Sequence, residues 1–318
     1  MMEHLRLGKT DLEVSPLCLG TANFGLKTDR KAAFELLDAF AEMGGNFLDT
    51  ANVYCKWVPG KGNCSERVIG AWLRERKPKD MVVATKGGHY SFLRPWVSRV
   101  QEKTVRQDLE ESLRTLGLDC IDFYWLHRDN PDLPGDEIIG FMEKLVREGK
   151  IRYWGISNLT AQRAEAFGEQ LQGVSNQWSL ALEPRKMAEK KDQTTIRTDR
   201  AMIEVLKKHG IPLVPYTSGA NGCFAAMEKG MPCPGLWDDP ANRLIFETLK
   251  KWAQELGVSA YTLGQAWLLS QPFQVFPVVA VSTKGHMRDF ETVCSLKLPE
   301  SCLKELNGVL ARAEGMLK

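Results

Sequence analysis

Eight short apolar runs recur along the chain, and each is followed by a stretch of helical periodicity. The runs fall at 15–21, 47–51, 81–86, 121–127, 151–157, 173–177, 211–217 and 276–281. Between them apolar residues return every three or four positions, as Ala33, Leu36, Leu37 and Phe40 do after the first run and Val68, Ile69, Trp72 and Leu73 after the second. A short, nearly continuous apolar run reads as a strand buried on both faces, and helical spacing reads as an amphipathic helix. Strands joined by helical crossovers lie parallel. Eight similar units with no midway break in composition predict an α/β fold, a single (βα)8 TIM barrel over residues 1–318, with an added C-terminal helix. An open dinucleotide-binding sheet would carry a glycine-rich phosphate loop after its first strand, and here that strand closes on Leu19-Gly20-Thr21 instead.

Composition removes several function classes. Lys and Arg total 42 against 40 Asp and Glu, a net charge of +2, and no basic run argues for nucleic acid or an anionic membrane surface. No stretch is long and apolar enough to span a bilayer, and the start Met1-Met2-Glu3-His4 has no signal core, so a cytoplasmic protein with a small-molecule partner is expected. The eight cysteines form no CxxC pair and match neither a zinc site nor a compact disulfide framework; reduced thiols are expected. No convincing second histidine stands at metal spacing, so no metal is expected.

The chemistry lies at the strand ends, where a barrel of this type carries its active site. The third run, Met81-Val82-Val83-Ala84-Thr85, ends on Lys86, and Gly87-Gly88 follow. A lysine there needs a carboxylate, a phosphate, an imine or a neighbour whose pKa it tunes, unless it only marks the edge of the strand. The second run ends at Asp49 with Tyr54 five residues on, and the fourth ends at His127. A phenol near an ammonium ion is drawn toward the phenolate, a carboxylate keeps that ammonium charged and fixed, and an imidazole hydrogen-bonds a substrate oxygen. Together they suit a carbonyl that gains a proton on oxygen and a hydride on carbon.

In these residues the chain resembles the aldo-keto reductases, NADPH-dependent carbonyl reductases on a (βα)8 barrel. The resemblance runs through Leu19-Gly20-Thr21, Phe47-Leu48-Asp49-Thr50-Ala51-Asn52-Val53-Tyr54, Cys64-Ser65-Glu66-Arg67-Val68-Ile69-Gly70, Ala84-Thr85-Lys86, Leu126-His127, Gly149-Lys150-Ile151-Arg152 and Gly155-Ile156-Ser157-Asn158, nearly the whole chain. It implies Tyr54 as general acid, Asp49 and Lys86 as the pair that lowers its pKa, and His127 as the group orienting the carbonyl. It implies that Ser157, Asn158 and Gln177 bond the nicotinamide carboxamide of NADP(H), that Tyr216 stacks on its ring, and that Gly20 and Thr21 line the cleft.

Two stretches depart from the family pattern. After Tyr216 the chain reads Thr217-Ser218-Gly219-Ala220 where Ser-Pro-Leu is usual, so small residues replace the pyrophosphate loop. After the last strand it reads Ser282-Thr283-Lys284-Gly285-His286-Met287-Arg288-Asp289-Phe290-Glu291-Thr292, with Thr292 where Asn is common. Ser282, Lys284, Arg288 and Glu291 are the implied contacts of the cofactor's phosphorylated ribose, and the two cations favour NADP over NAD. Trp57, Tyr90, Trp96 and Arg128 follow the catalytic strand ends; the three aromatics read equally as pocket walls or as packing of loop on barrel, Arg128 adds a polar group in reach of hydroxyls, and as a pocket they suit a sugar or other polyhydroxy carbonyl or its alcohol. The rival reading is a nucleotide-binding regulatory or sensory relative with little turnover.

Overall fold

The computed structural model describes all residues except Leu93, Pro95, Trp96, Arg185, 187–193 and Lys318. The chain opens with a hairpin, β1 (Leu5–Arg6) paired antiparallel with β2 (Glu13–Val14). Seven parallel strands follow: β3 (Cys18–Gly20), β4 (Phe47–Asp49), β5 (Val82–Gly87), β6 (Ile121–Leu126), β7 (Ile151–Ser157), β8 (Val174–Ser175) and β9 (Val278–Val279). They lie side by side in the order β8-β7-β6-β5-β4-β3-β9.

The remaining stave, seventh in chain order, closes the barrel between β8 and β9. Leu213 bridges Val174 on one side and Val275 on the other, both parallel. This stave forms isolated bridges because Pro212 and Pro215 flank its centre and have no N–H to give to a ladder. Their carbonyls still serve: Pro212 accepts from the Val174 N–H at 3.1 Å and Pro215 from the Val278 N–H at 2.9 Å. The expected (βα)8 barrel is therefore the fold, with its seventh strand in this weaker form.

Helices α1 (Arg30–Glu42), α2 (Cys64–Arg76), α3 (Glu102–Leu116), α4 (Gly135–Arg147), α5 (Ala161–Phe167) and α6 (Arg200–His209) alternate with the strands. Asp29, Thr160 and Asp199 cap three of them, each accepting a backbone N–H from the first turn. The long loop after Tyr216 contains a short helix, α7 (Cys223–Glu228). Helices α8 (Pro240–Leu256), α9 (Ala260–Leu269), α10 (Phe290–Ser295) and α11 (Glu300–Met316) complete the outer ring.

Two apolar cores result. One lies between strands and helices; the other fills the barrel, with Phe47, Phe123, Trp125, Val214 and Phe276 joined by Leu7, Leu12 and Val14 of the hairpin segment. The hairpin thus plugs the end opposite the strand C-termini, leaving the polar rim at the other. Among the described residues no helix is long and apolar enough to cross a membrane.

The expectation of reduced thiols fails at two places. Cys55 pairs with Cys64 and Cys223 with Cys233, at Cα separations of 5.8 and 4.5 Å. Spacings of nine and ten residues hid these pairs, because each forms only where an exposed loop folds back on a helix end. Cys18, Cys120, Cys294 and Cys302 remain thiols.

Candidate active site

Lys86 lies near the end of β5 with its side chain 3% exposed. Its ammonium donates to Asp49 Oδ2 at 2.5 Å, to the Thr50 carbonyl at 2.9 Å and to the Tyr54 hydroxyl at 3.2 Å. An ammonium has three donors, and here all three are used inside the protein. Burial opposes charge on Lys86, but Asp49 and Tyr54 outweigh it and hold its pKa above the ordinary value.

Tyr54 responds to its burial and to both charged neighbours. Burial raises the pKa of its phenol, Lys86 pulls it down, and Asp49 adds to the rise; the net direction is upward. Burial sets that net direction, and the pull of Lys86 exceeds the push of Asp49 and offsets part of the rise. The phenol stays protonated at neutral pH, the state of a proton donor. His127 stands edge-on to Tyr54 with ring centroids 6.0 Å apart. Burial, followed by His89, Arg128 and Lys86, pushes its pKa well below the ordinary imidazole value, so the ring is neutral. Among the described residues its buried Nδ1 has no hydrogen-bond partner, and a neutral imidazole loses least there by carrying its proton on Nε2.

The residues assigned to the nicotinamide end divide into two groups. Ser157 Oγ donates to the Ser175 carbonyl at 2.7 Å. The Asn158 amide donates to the His127 carbonyl at 3.1 Å and accepts from the Tyr216 hydroxyl at 2.6 Å. Asn158 is thus a tie between staves, fixing His127 and the Tyr216 ring. Gln177 differs: among the described residues its buried Nε2 has no hydrogen-bond partner, which leaves a donor to be satisfied. Gly20 packs against Val278, where a Cβ would come within 2.8 Å of Cγ1. The Thr21 hydroxyl bonds the Asp49 carbonyl at 2.8 Å and Ser65 Oγ at 2.9 Å, bracing the acid from behind.

Farther round the rim, Ser218 Oγ donates to the Val278 carbonyl at 2.7 Å, and Gly219 packs on Tyr261. Ser282, Lys284, Arg288 and Glu291 are exposed after β9, and Glu291 pairs with the Met1 ammonium at 3.0 Å. Trp57 is 44% exposed and stands edge-on to Tyr54 at 6.2 Å. The Arg128 guanidinium lies over the Tyr90 ring at 5.5 Å. Trp96 lies outside the described residues.

Three features were missed in the sequence. His89 is buried, its ring 4.7 Å from that of His127, so a second imidazole walls the site. Glu66 is a buried acid whose carboxylate accepts from Thr85 Oγ1 at 2.6 Å, tying α2 to β5. Backbone strain is concentrated here as well: Cys55, Asn158 and Thr217 have φ of 75°, 60° and 57°, and each directly follows a site residue, Tyr54, Ser157 or Tyr216. A non-glycine residue at positive φ straight after a strand-end polar residue is the local sign, and no residue type announces it.

The Aldo/keto reductase family profile matches residues 16–311, and the chain belongs to that family. It is 29% identical to the uncharacterized oxidoreductase YrpG of Bacillus subtilis (strain 168), covering 97% of this chain and 96% of that one. It is 27% identical to the aryl-alcohol dehydrogenase [NADP(+)] of Phanerodontia chrysosporium, over 87% of this chain and 77% of the relative. Its fold is that of a thermostable aldo-keto reductase solved with the inhibitor epalrestat, with a TM-score of 0.72 at 24% identity, covering 97% of this chain and all of that one. The protein is thus an oxidoreductase of the aldo-keto reductase class.

Proposed function

We propose that this chain reduces an aldehyde or ketone with NADPH, Tyr54 supplying the proton and His127 orienting the carbonyl. The observation that carries the reading is the Lys86 ammonium, which bonds Asp49 and Tyr54 at once from inside the barrel. Lys86 favours the phenolate that forms as Tyr54 gives up its proton, and Asp49 keeps Lys86 charged. The neutral His127 donates from Nε2 to the carbonyl oxygen, polarising it and fixing it against Tyr54.

NADPH, once bound, supplies the hydride. The unpartnered Gln177 Nε2 fits a nicotinamide carboxamide, and Tyr216, held by Asn158, fits the ring. Lys284 and Arg288, both exposed after β9, support a 2′-phosphate and so NADPH over NADH. A relative whose name carries NADP(+) and an aryl alcohol supports the same cofactor and a ring-bearing substrate. The aromatic mouth formed by Trp57 and Tyr90 supports carbonyls on rings, planar or sugar.

The test is a screen of aryl aldehydes, aliphatic ketones and aldoses, followed by the loss of NADPH absorbance, with NADH in parallel. Turnover of at least one ring-bearing carbonyl with NADPH is expected. Tight NADPH binding with no turnover of any carbonyl would favour a nucleotide-binding regulator instead.

A further inference from the structure

Cys55 follows Tyr54 directly, at a backbone φ of 75°. Cys64 is the first residue of α2. Both are buried, and their sulfurs lie against one carbonyl oxygen, that of Phe24, at 3.6 and 3.5 Å. The segment between them is exposed at Trp57, Pro59, Gly60 and Lys61. It carries the indole that stands edge-on to Tyr54. Lys56 anchors its near end, donating to Glu111 Oε2 at 2.8 Å and Asn52 Oδ1 at 2.7 Å. Arg67 of α2 holds the far end, donating to the Lys61 carbonyl, and between these anchors the backbone bonds, Val58 N–H to the Cys55 carbonyl and Lys61 N–H to the Val58 carbonyl, are local turns.

Neither cysteine belongs to either apolar core. Opening their bond therefore removes no member of either core and slackens first the loop that carries Trp57. We propose that Cys55 and Cys64 form a reversible dithiol–disulfide modification site, and that its state sets how firmly Trp57 is held at the mouth of the Tyr54 pocket. The partner is a low-molecular-weight thiol–disulfide couple. Cys64, at the N-terminus of a 13-residue helix and the less deeply buried of the two, is the attacking thiolate. It cleaves the disulfide RS–SR, forming Cys64–S–SR and releasing RS⁻. The Cys55 thiolate then attacks the Cys64 sulfur, forming the Cys55–Cys64 bond and releasing a second RS⁻. The two protons shed by the cysteines end on the two RSH, so the protein loses two electrons and the small disulfide gains them.

The proposal rests on the carbonyl-reductase reading only for its kinetic arm. The whole protein is equilibrated with reduced or oxidised glutathione, alkylated and mapped by mass spectrometry. Amide exchange over 52–66 and carbonyl kinetics are measured on each state. The expected result is a Cys55–Cys64 bond that forms in oxidised and opens in reduced glutathione. Opening should speed exchange over 56–62 and raise KM about three- to tenfold, with a smaller change in kcat. Cys64→Ser should hold the reduced-state KM in both buffers, and Cys233→Ser should still respond. A pair that stays as thiols, a bond that resists reduced glutathione in the folded protein, or two states with the same exchange and KM would each overturn the proposal. So would a Cys64→Ser protein that still responds. Absence of turnover in both states would count against the proposed function, while mapping and exchange still decide this one.

Discussion

Lys86 shows how much one side chain is asked to do. It neutralises a carboxylate, closes a backbone carbonyl and faces a phenol, all within a space that admits little water. Removing it leaves Asp49 buried without its cation, so the carboxyl must either carry an uncompensated charge or take up a proton. Lys86→Met is therefore expected to destabilise the fold by about 3–5 kcal/mol, read by chemical denaturation, as well as to abolish reduction. Wild-type stability in that variant would show that the pair is not the buried ion pair described. His127 gives a pH signature of known sign. Its folded pKa lies well below the unfolded value, so the native state binds fewer protons and stability falls as pH drops through about 6.5 toward the folded value. In His127→Asn the loss of stability between about pH 7 and 5 should be shallower by denaturant titration, and an unchanged slope would assign the effect elsewhere. Asp49, Tyr54, Lys86 and His127 were legible in the sequence because each lies at or just beyond the end of an apolar run. His89 was not, because its place beside His127 depends on the path of a loop; nor was the net rise of the Tyr54 pKa, which depends on burial.

At the scale of elements, pattern was legible and hydrogen bonding was not. Strands β5, β6 and β7 fall within the apolar runs to within a residue. The two-residue strands of the plug went unread, since a hairpin this short has no period. The seventh stave was found from its apolar residues, while its prolines explain why it bridges rather than ladders. Close approach inside the barrel is just as local. A Cβ on Gly155 would sit 2.5 Å from the Gly173 carbonyl oxygen and 2.6 Å from Trp125 Cζ3. Both neighbours are stiff, one backbone and one a buried indole. Gly155→Ala should cost about 1–3 kcal/mol by thermal or urea unfolding, whereas Gly140→Ala, on the exposed side of α4 with open space, should be neutral or stabilising.

Across the whole molecule, the barrel separates stability from chemistry. The hairpin plug and the inner core close one end, the outer core binds helices to strands, and the polar rim at the other end gathers an acid, a phenol, an ammonium and two imidazoles. In the proposed placement of NADPH, its 2′-phosphate end meets the exposed charges after β9. Lys284→Ala should weaken NADPH binding about tenfold and leave NADH unchanged in a fluorescence titration; equal weakening of both would place the 2′-phosphate elsewhere. The central claim is that Tyr54 gives the proton. It is tested most directly by Tyr54→Phe in a single-turnover experiment that follows oxidation of bound NADPH by a carbonyl the parent protein reduces. The account predicts NADPH bound with nearly unchanged affinity and oxidised at least about a hundredfold more slowly. Oxidation at the parent rate would contradict it.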